Sequence, residues 1–271
     1  MPEGPECKKI AEGLAKFASN KKISSIEILS GRYTKKSPSG YSIVGDLPIS
    51  VVGVGVHGKF IYWILEKEYS VWNTLGMTGS WTTAEDPHNR VKFNFSDGYH
   101  VYFKDQRNFG TLKFVRGKHQ LIEKLQSLGP DMLSEDVSTE KFISRLRKKN
   151  KHNICKALMD QSIICGVGNY VKADSLWLAK INPFCSVSDL SDNNLENLSN
   201  AIKNVLKESY ESGGATIRTY ENFNGENGSY ASKFIVYNRK QDEEGNEVLR
   251  DKTPDGRTTH WCPQRQNIGL K

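Results

Sequence analysis

Asn153-Ile-Cys-Lys-Ala-Leu-Met-Asp160, Gln161-Ser-Ile-Ile-Cys-Gly-Val-Gly168 and Asn169-Tyr-Val-Lys-Ala-Asp-Ser-Leu-Trp-Leu-Ala-Lys-Ile181 follow one another without a break. They read as helix, tight turn, helix, and that reading decides the fold. The Gly166-Val167-Gly168 corner lets backbone approach a partner closely, and Asn169 begins the second helix. Exposed N–H groups at a helix start suit a phosphate, and Lys156 can add a charge-assisted contact. A glycine corner between two packed helices accounts for the same residues with no ligand at all.

The texture on either side is different. Upstream, from about Ile23 to Val115, short runs rich in Val, Ile, Phe and Tyr stand at Ile49–Val56, Phe60–Leu65, Val91–Phe95, Tyr99–Phe103 and Thr111–Val115. Ser96-Asp97-Gly98 is a hairpin turn signal between two of them. Many short strands at this spacing suggest a β-sandwich. After Gly129-Pro130-Asp131 the pattern turns helical, over Thr139–Lys149, Asn153–Asp160, Asn169–Ile181 and Asp189–Tyr210. The linker near residues 117–135 is the expected boundary. Beyond Gly213-Gly214, the polar stretch Thr219–Gly228 reads as a mobile loop. The short β runs Lys233–Tyr237 and Thr258–Trp261, with a charged segment between them, suggest a terminal hairpin. The expected class is α+β, divided at 1–130, 131–225 and 226–271.

Composition narrows the function. Lys and Arg total 38 against 31 Asp and Glu, a net charge of +7, which suits a phosphate-bearing partner. Basic residues cluster at Arg145, Arg147, Lys148, Lys149 and Lys151, and again from Arg239 to Arg265, although a solvated helix face explains the first cluster nearly as well. No run of about twenty apolar residues exists to span a membrane, and the N-terminus lacks a secretory pattern, so an intracellular chain is expected. The five cysteines (Cys7, Cys155, Cys165, Cys185, Cys262) never form C-x-x-C, which argues against a disulfide framework.

The chain starts Met1-Pro2-Glu3-Gly4-Pro5-Glu6. Removal of the initiator leaves a secondary amine on Pro2, able to attack an aldehyde carbon and form an iminium electron sink. Glu3 stands beside it to shuttle protons. Gly4-Pro5 looks like a helix start, with Ile10, Leu14 and Phe17 recurring on one face. Pro2 then precedes a helix N-terminus, whose partial positive charge favours the neutral, nucleophilic amine. Lys59, after Val56-His57-Gly58, can hold a phosphate and depress a neighbouring amine's pKa. Leu75-Gly76-Met77-Thr78-Gly79-Ser80 and Gln106-Arg107-Asn108-Phe109-Gly110 are glycine-bearing loops that expose Met77 and Phe109 beside Arg107. An enzyme that extrudes a base needs such side chains to fill the hole, though Met and Phe in loops also serve as minor core.

Taken in order, PEGPE, the HGKF lysine, LGMTGS, the R-x-FG loop, KALMDQ…GVGN, GGATIRTY and RTTHWC resemble the family of formamidopyrimidine-DNA glycosylase and endonuclease VIII, over residues 2 to 262. The resemblance implies a β-sandwich domain flanked by helices, a helix-two-turns-helix domain and a β-hairpin finger. It implies a bifunctional glycosylase and AP lyase of base excision repair. Pro2 would be the Schiff-base nucleophile, Glu3 the proton shuttle, and Glu6 a second acidic position. Lys59, Asn169 and Arg257 would clamp phosphates, with Lys156 a weaker candidate. Met77, Arg107 and Phe109 would fill the void. The implied partner is duplex DNA carrying oxidised bases or abasic sites, with single-stranded DNA a further substrate; the chain is expected to act as a monomer without cofactor. Two features depart from the family pattern. Arg265 stands where a C-x-x-C partner of Cys262 would fall, and no cysteine pair exists near Arg239–Glu247, so four zinc ligands cannot be assembled. Gly4 favours the endonuclease VIII side and hence oxidised pyrimidines; oxidised purines and a non-catalytic damaged-DNA binder are the alternatives. A metallonuclease would need a ligand cluster that the sequence does not show.

Overall fold

The computed structural model describes residues 2–217 and 219–269. By packing, the chain forms two compact units. One runs from the N-terminus to Ser127 and adds Ser212–Ser229; the other joins Leu128–Glu211 to everything from Tyr230 onward. The packing units thus depart from the three consecutive segments drawn on texture, because residues 212–229 return to the first unit and the finger packs with the helices.

The first unit opens with α1 (Gly4–Ala18), which starts at a proline and buries Ile10, Ala11, Leu14 and Ala18. Eight strands follow: β1 (Lys22–Ile28), β2 (Ile49–His57), β3 (Phe60–Leu65), β4 (Tyr69–Thr74), β5 (Gly79–Thr82), β6 (Asn89–Phe95), β7 (His100–Asp105) and β8 (Thr111–Arg116). Their order is β5-β7-β6-β1-β2-β3-β4-β8. In that order β3 and β6 are three places apart, about 14 Å in a flat sheet. Yet the Trp63 ring on β3 lies 5.3 Å from Phe93 on β6 and 5.1 Å from Trp81 on β5. The sheet therefore folds back into two four-stranded layers, β5-β7-β6-β1 and β2-β3-β4-β8, with these rings between them. This is the sandwich that the strand texture implies. Asn73, a polar side chain, is also fully buried here; it accepts from Trp81 Nε1 at 3.0 Å and donates to the Thr111 carbonyl at 2.7 Å.

Two stretches differ from expectation. The linker contains a helix, α2 (Lys118–Gln126); its nine largely polar residues bury Leu121 alone, which leaves almost no periodicity to read. Thr219–Gly228 is anchored. Phe223 is buried, its ring 5.5 Å from Phe17 on α1, and a Cβ on Gly13 would stand 3.0 Å from Phe223 Cγ. Asn222 Oδ1 closes the loop by accepting from the backbone of Asn224 and Glu226. Arg218 and Met1 lie outside the described residues.

In the second unit, α3 (Thr139–Arg147) is capped by Ser138 and α4 (Ile154–Met159) by Asn153. Next come α5 (Asn169–Leu178) and α6 (Asp192–Glu211). The finger hairpin pairs β9 (Leu249–Lys252) with β10 (Thr258–Trp261), from Thr258↔Lys252 to Trp261↔Leu249. The partner of the 258–261 strand is therefore part of the charged segment, and Lys233–Tyr237 is not a strand. The reason is an acceptor on α5: the fully buried Asp174 carboxylate takes the backbone N–H groups of Ile235, Val236 and Tyr237, so this run bends around it and these three donors are not available to a ladder.

Candidate functional site

Pro2 is buried just ahead of α1, and the chemistry around it is fixed by two glutamates. Glu3 is the N-cap, and its side chain accepts from the Glu6 N–H in a capping box. In return Glu6 Oε2 accepts the Glu3 N–H at 2.7 Å. The other oxygen, Oε1, accepts the Ala215 N–H at 2.7 Å. Glu6 is 1% exposed. It thus ties the first turn of α1, and with it Pro2, to the Gly213–Ala215 part of the GGATIRTY motif. Gly214 has φ +92°, and a Cβ there would stand 3.0 Å from both Glu6 Oε1 and the Tyr220 ring. Burial, and then the neighbouring Glu6 and Cys7, push the Tyr220 hydroxyl well above its ordinary range, so it stays a neutral donor, to the Gly213 carbonyl at 3.2 Å.

Lys59 sits half-buried in the turn between β2 and β3, where Gly58 takes φ +58°. The loops bearing Met77, Arg107 and Phe109 are brought together by backbone contact. Gly76 has φ +60°, and a Cβ on it would meet Gly110 N at 2.6 Å. Met77 is 40% and Phe109 56% exposed, and the Arg107 guanidinium lies 4.9 Å from the Phe109 ring centre. Exposed apolar tips are suited to insertion, and here their base is rigid. The buried Asp105 accepts from Thr78 Oγ1 at 2.7 Å and from Gly110 N at 2.7 Å, while Thr78 Oγ1 accepts from Arg107 N at 2.9 Å. Arg32 completes the brace, donating to the carbonyls of Asn108 and Gly110. Asp105 and Arg32 were not singled out in the sequence; nothing in Lys104-Asp105-Gln106 separates a buried brace from a surface carboxylate.

In the second unit, Gln161 shapes the glycine corner. Its Nε2 donates to the carbonyls of Met159 and Val167, and its Oε1 accepts from Gly166 N at 3.1 Å. Asn169, the first residue of α5, donates from Nδ2 to the Thr258 carbonyl at 2.9 Å, so it is joined to the finger beside Arg257. Arg257 is exposed. Lys156 stands exposed on α4, with its backbone N–H held by the Asn153 cap.

The finger offers zinc no fitting ligand set. Among the described residues no three His, Cys, Asp or Glu side chains converge, and Cys262 Sγ lies 3.3 Å from Gln264 Oε1. The hairpin is packed instead. Trp177, Val236, Val248 and Cys262 form a buried cluster. The Arg265 guanidinium stacks 3.7 Å from the Trp177 ring centre and pairs with Glu244.

Comparison with known proteins agrees with the fold. Residues 1–112 match the formamidopyrimidine-DNA glycosylase N-terminal domain, and residues 128–221 match the formamidopyrimidine-DNA glycosylase H2TH domain. A formamidopyrimidine-DNA glycosylase of Parasynechococcus marenigrum is 33% identical over 98% of this chain and 100% of its own length. The protein of that name from Shouchella clausii is 30% identical over 98% and 99%. The crystal structure of the Thermus thermophilus MutM (Fpg) protein superposes with a TM-score of 0.86 at 28% identity, covering 99% of this chain and all of that one. Fold and site define the class, a DNA glycosylase with AP lyase activity. Within that class the chain belongs to the formamidopyrimidine-DNA glycosylase family. The placement with formamidopyrimidine-DNA glycosylase and endonuclease VIII together stands, whereas these relatives lie on the formamidopyrimidine side and not on the endonuclease VIII side that Gly4 suggests.

Proposed function

We propose that the chain excises oxidised purines, 8-oxoguanine and formamidopyrimidines, from duplex DNA and then cuts the strand at the abasic site. The chemistry rests on one observation: a buried proline at the front of α1, locked there by the reciprocal Glu3–Glu6 capping box. The choice of purine over pyrimidine rests on the relatives. The relatives named above carry the formamidopyrimidine name, and the solved neighbours include a Lactococcus lactis mutant with Fapy-dG DNA, 27% identical with a TM-score of 0.86. This replaces the pyrimidine preference expected from Gly4.

Once Met1 is removed, the Pro2 nitrogen lone pair attacks the sugar C1′. The bond from C1′ to the damaged base breaks, and the base leaves with that electron pair and a proton. The ring C1′–O4′ bond opens to give an iminium, with Glu3 moving the proton. The iminium acidifies C2′; loss of a proton there breaks the C3′–O bond, and a second elimination breaks the C5′–O bond. Lys59, Asn169 and Arg257 hold phosphates around the everted nucleotide, with Lys156 a weaker contact. Met77, Arg107 and Phe109 occupy the space it leaves. Extrusion costs a few kcal/mol, less at a damaged pair. No described helix is long and apolar enough to cross a membrane. The reading has the chain acting as a monomer on DNA inside the cell, on single strands as well as duplexes, with residues 226–271 serving as the DNA-gripping finger.

Two measurements test this. Borohydride should trap the native protein on abasic-site DNA, and an extra residue left ahead of Pro2 should abolish the adduct; no adduct when Pro2 is the first residue would leave only a DNA binder. Excision should be faster from 8-oxoguanine or formamidopyrimidine duplexes than from thymine glycol, and the reverse order would restore the pyrimidine reading.

A further inference from the structure

The finger carries Arg257 on a tight turn, and this turn is fastened to α5 through groups inside the protein. Lys172 is fully buried, and its Nζ lies 2.5 Å from Asp255 Oδ2, on a side chain 3% exposed. A buried ammonium is costly unless it is paired and hydrogen-bonded, so this pair must be matched closely by its surroundings. Asp255 Oδ1 accepts from Thr253 Oγ1 at 2.7 Å and from the Arg257 N–H at 3.1 Å. The Arg257 carbonyl in turn accepts from Thr253 N at 3.0 Å, and Thr253 Oγ1 lies 3.1 Å from it. Thr253 Oγ1 also bonds Thr259 Oγ1 at 2.8 Å. Gly256, at φ +78°, lets the chain turn between them. Both backbone polar groups of Arg257 are therefore held while its guanidinium points into solvent. Asn169, three residues before Lys172 and so on the same helix face, holds the next residue through the Thr258 carbonyl.

We infer that Lys172 is a positioning residue for Arg257: with Asp255 it forms an internal staple that aims the guanidinium of a metal-free finger at a DNA phosphate. This rests on the reading of Arg257 as a phosphate contact. Lys172 is enclosed and cannot touch DNA itself, so any effect of its loss on the electrostatics of binding must pass through another group. Burial works against the charge on Asp255, but Lys172, Thr253 and the Arg257 N–H together hold its carboxyl below the usual carboxylate range.

The test is the salt dependence of affinity for a duplex containing a tetrahydrofuran abasic analogue, measured between about 50 and 200 mM salt. Arg257→Ala should lower the slope by about one, which weakens binding roughly eightfold at ~0.1 M salt. Lys172→Met should lower the slope by the same amount, and Lys172→Met with Arg257→Ala should lower it no further. Lys172→Met/Asp255→Asn removes both charges yet leaves an oxygen for the Arg257 N–H; with amide hydrogen exchange over 249–261 reporting an intact hairpin, it too should lose about one unit of slope. A parental slope in that pair, or losses that add to those of Arg257→Ala, overturns the positioning role. An unchanged slope for Arg257→Ala itself would instead overturn Arg257 as a phosphate contact.

Discussion

Replacing Glu6 by glutamine probes the joint between Pro2 and the rest of the first unit. In the parent, each carboxylate oxygen accepts a backbone N–H at 2.7 Å, one from Glu3 and one from Ala215, and the residue is buried. Glutamine keeps the shape but supplies only one acceptor, so its amide NH2 must face one of the two donors. Leaving a buried donor unsatisfied by removing its acceptor costs about 1–3 kcal/mol, and the upper part of that range applies where the lost acceptor was charged. A loss of about 2–3 kcal/mol from the first unit follows. For a unit of this size that is roughly 5–10 °C in its thermal midpoint. If half of it appears where Pro2 must be aimed, borohydride trapping slows about tenfold. Differential scanning calorimetry and single-turnover trapping on an abasic duplex measure both quantities. A Glu6→Gln protein with parental midpoint and parental trapping rate would show that the Glu6 bridge neither holds α1 nor places the amine.

Asp105→Asn disturbs the brace beneath Met77, Arg107 and Phe109, where one carboxylate serves Thr78 and Gly110. Excision of an intact damaged base should fall about 10- to 100-fold while cleavage of a preformed abasic site stays within about threefold, because only the former needs a base extruded; equal losses on both substrates would refute the brace's role. His260, on β10 of the finger, is buried with neither ring nitrogen partnered among the described residues, and burial, then Arg250 and Lys172, lower its pKa from 6.5 to about 4. Because the unfolded chain takes up this proton first as pH falls below 6.5, stability should decline between pH 6.5 and 4, by at most about 3 kcal/mol. His260→Phe keeps the edge contact with Tyr237, which spans 4.9 Å, and should flatten that acid limb in urea titrations at pH 7 and 4.5; an unaltered limb would place the titration elsewhere. Phe223→Ala, emptying the space over Gly13 and Phe17, should cost about 3–5 kcal/mol of first-unit stability, and a loss below about 1 kcal/mol would mean that the 219–228 loop is not anchored there.

What the sequence determined by itself was whatever depends on local spacing. Alternating Ile61, Trp63 and Leu65 mark a strand with one buried face, and the glycine corner at 166–168 separates two helices, because side-chain periodicity and backbone permissiveness are properties of neighbours along the chain. The order of short motifs gave the family in the same way, and Met77, Arg107 and Phe109 could be named as one set. Tertiary structure decided everything in which one side chain answers another far away. Glu6 finds Ala215 across 209 positions and Lys172 finds Asp255 across 83, and no pattern within either segment records such a pairing. The same holds for Lys233–Tyr237, whose strand-like composition yields to a buried carboxylate on α5 that takes up its donors. A backbone N–H bonds whatever acceptor folding places beside it, and for these residues that acceptor arrives only when distant parts of the chain meet.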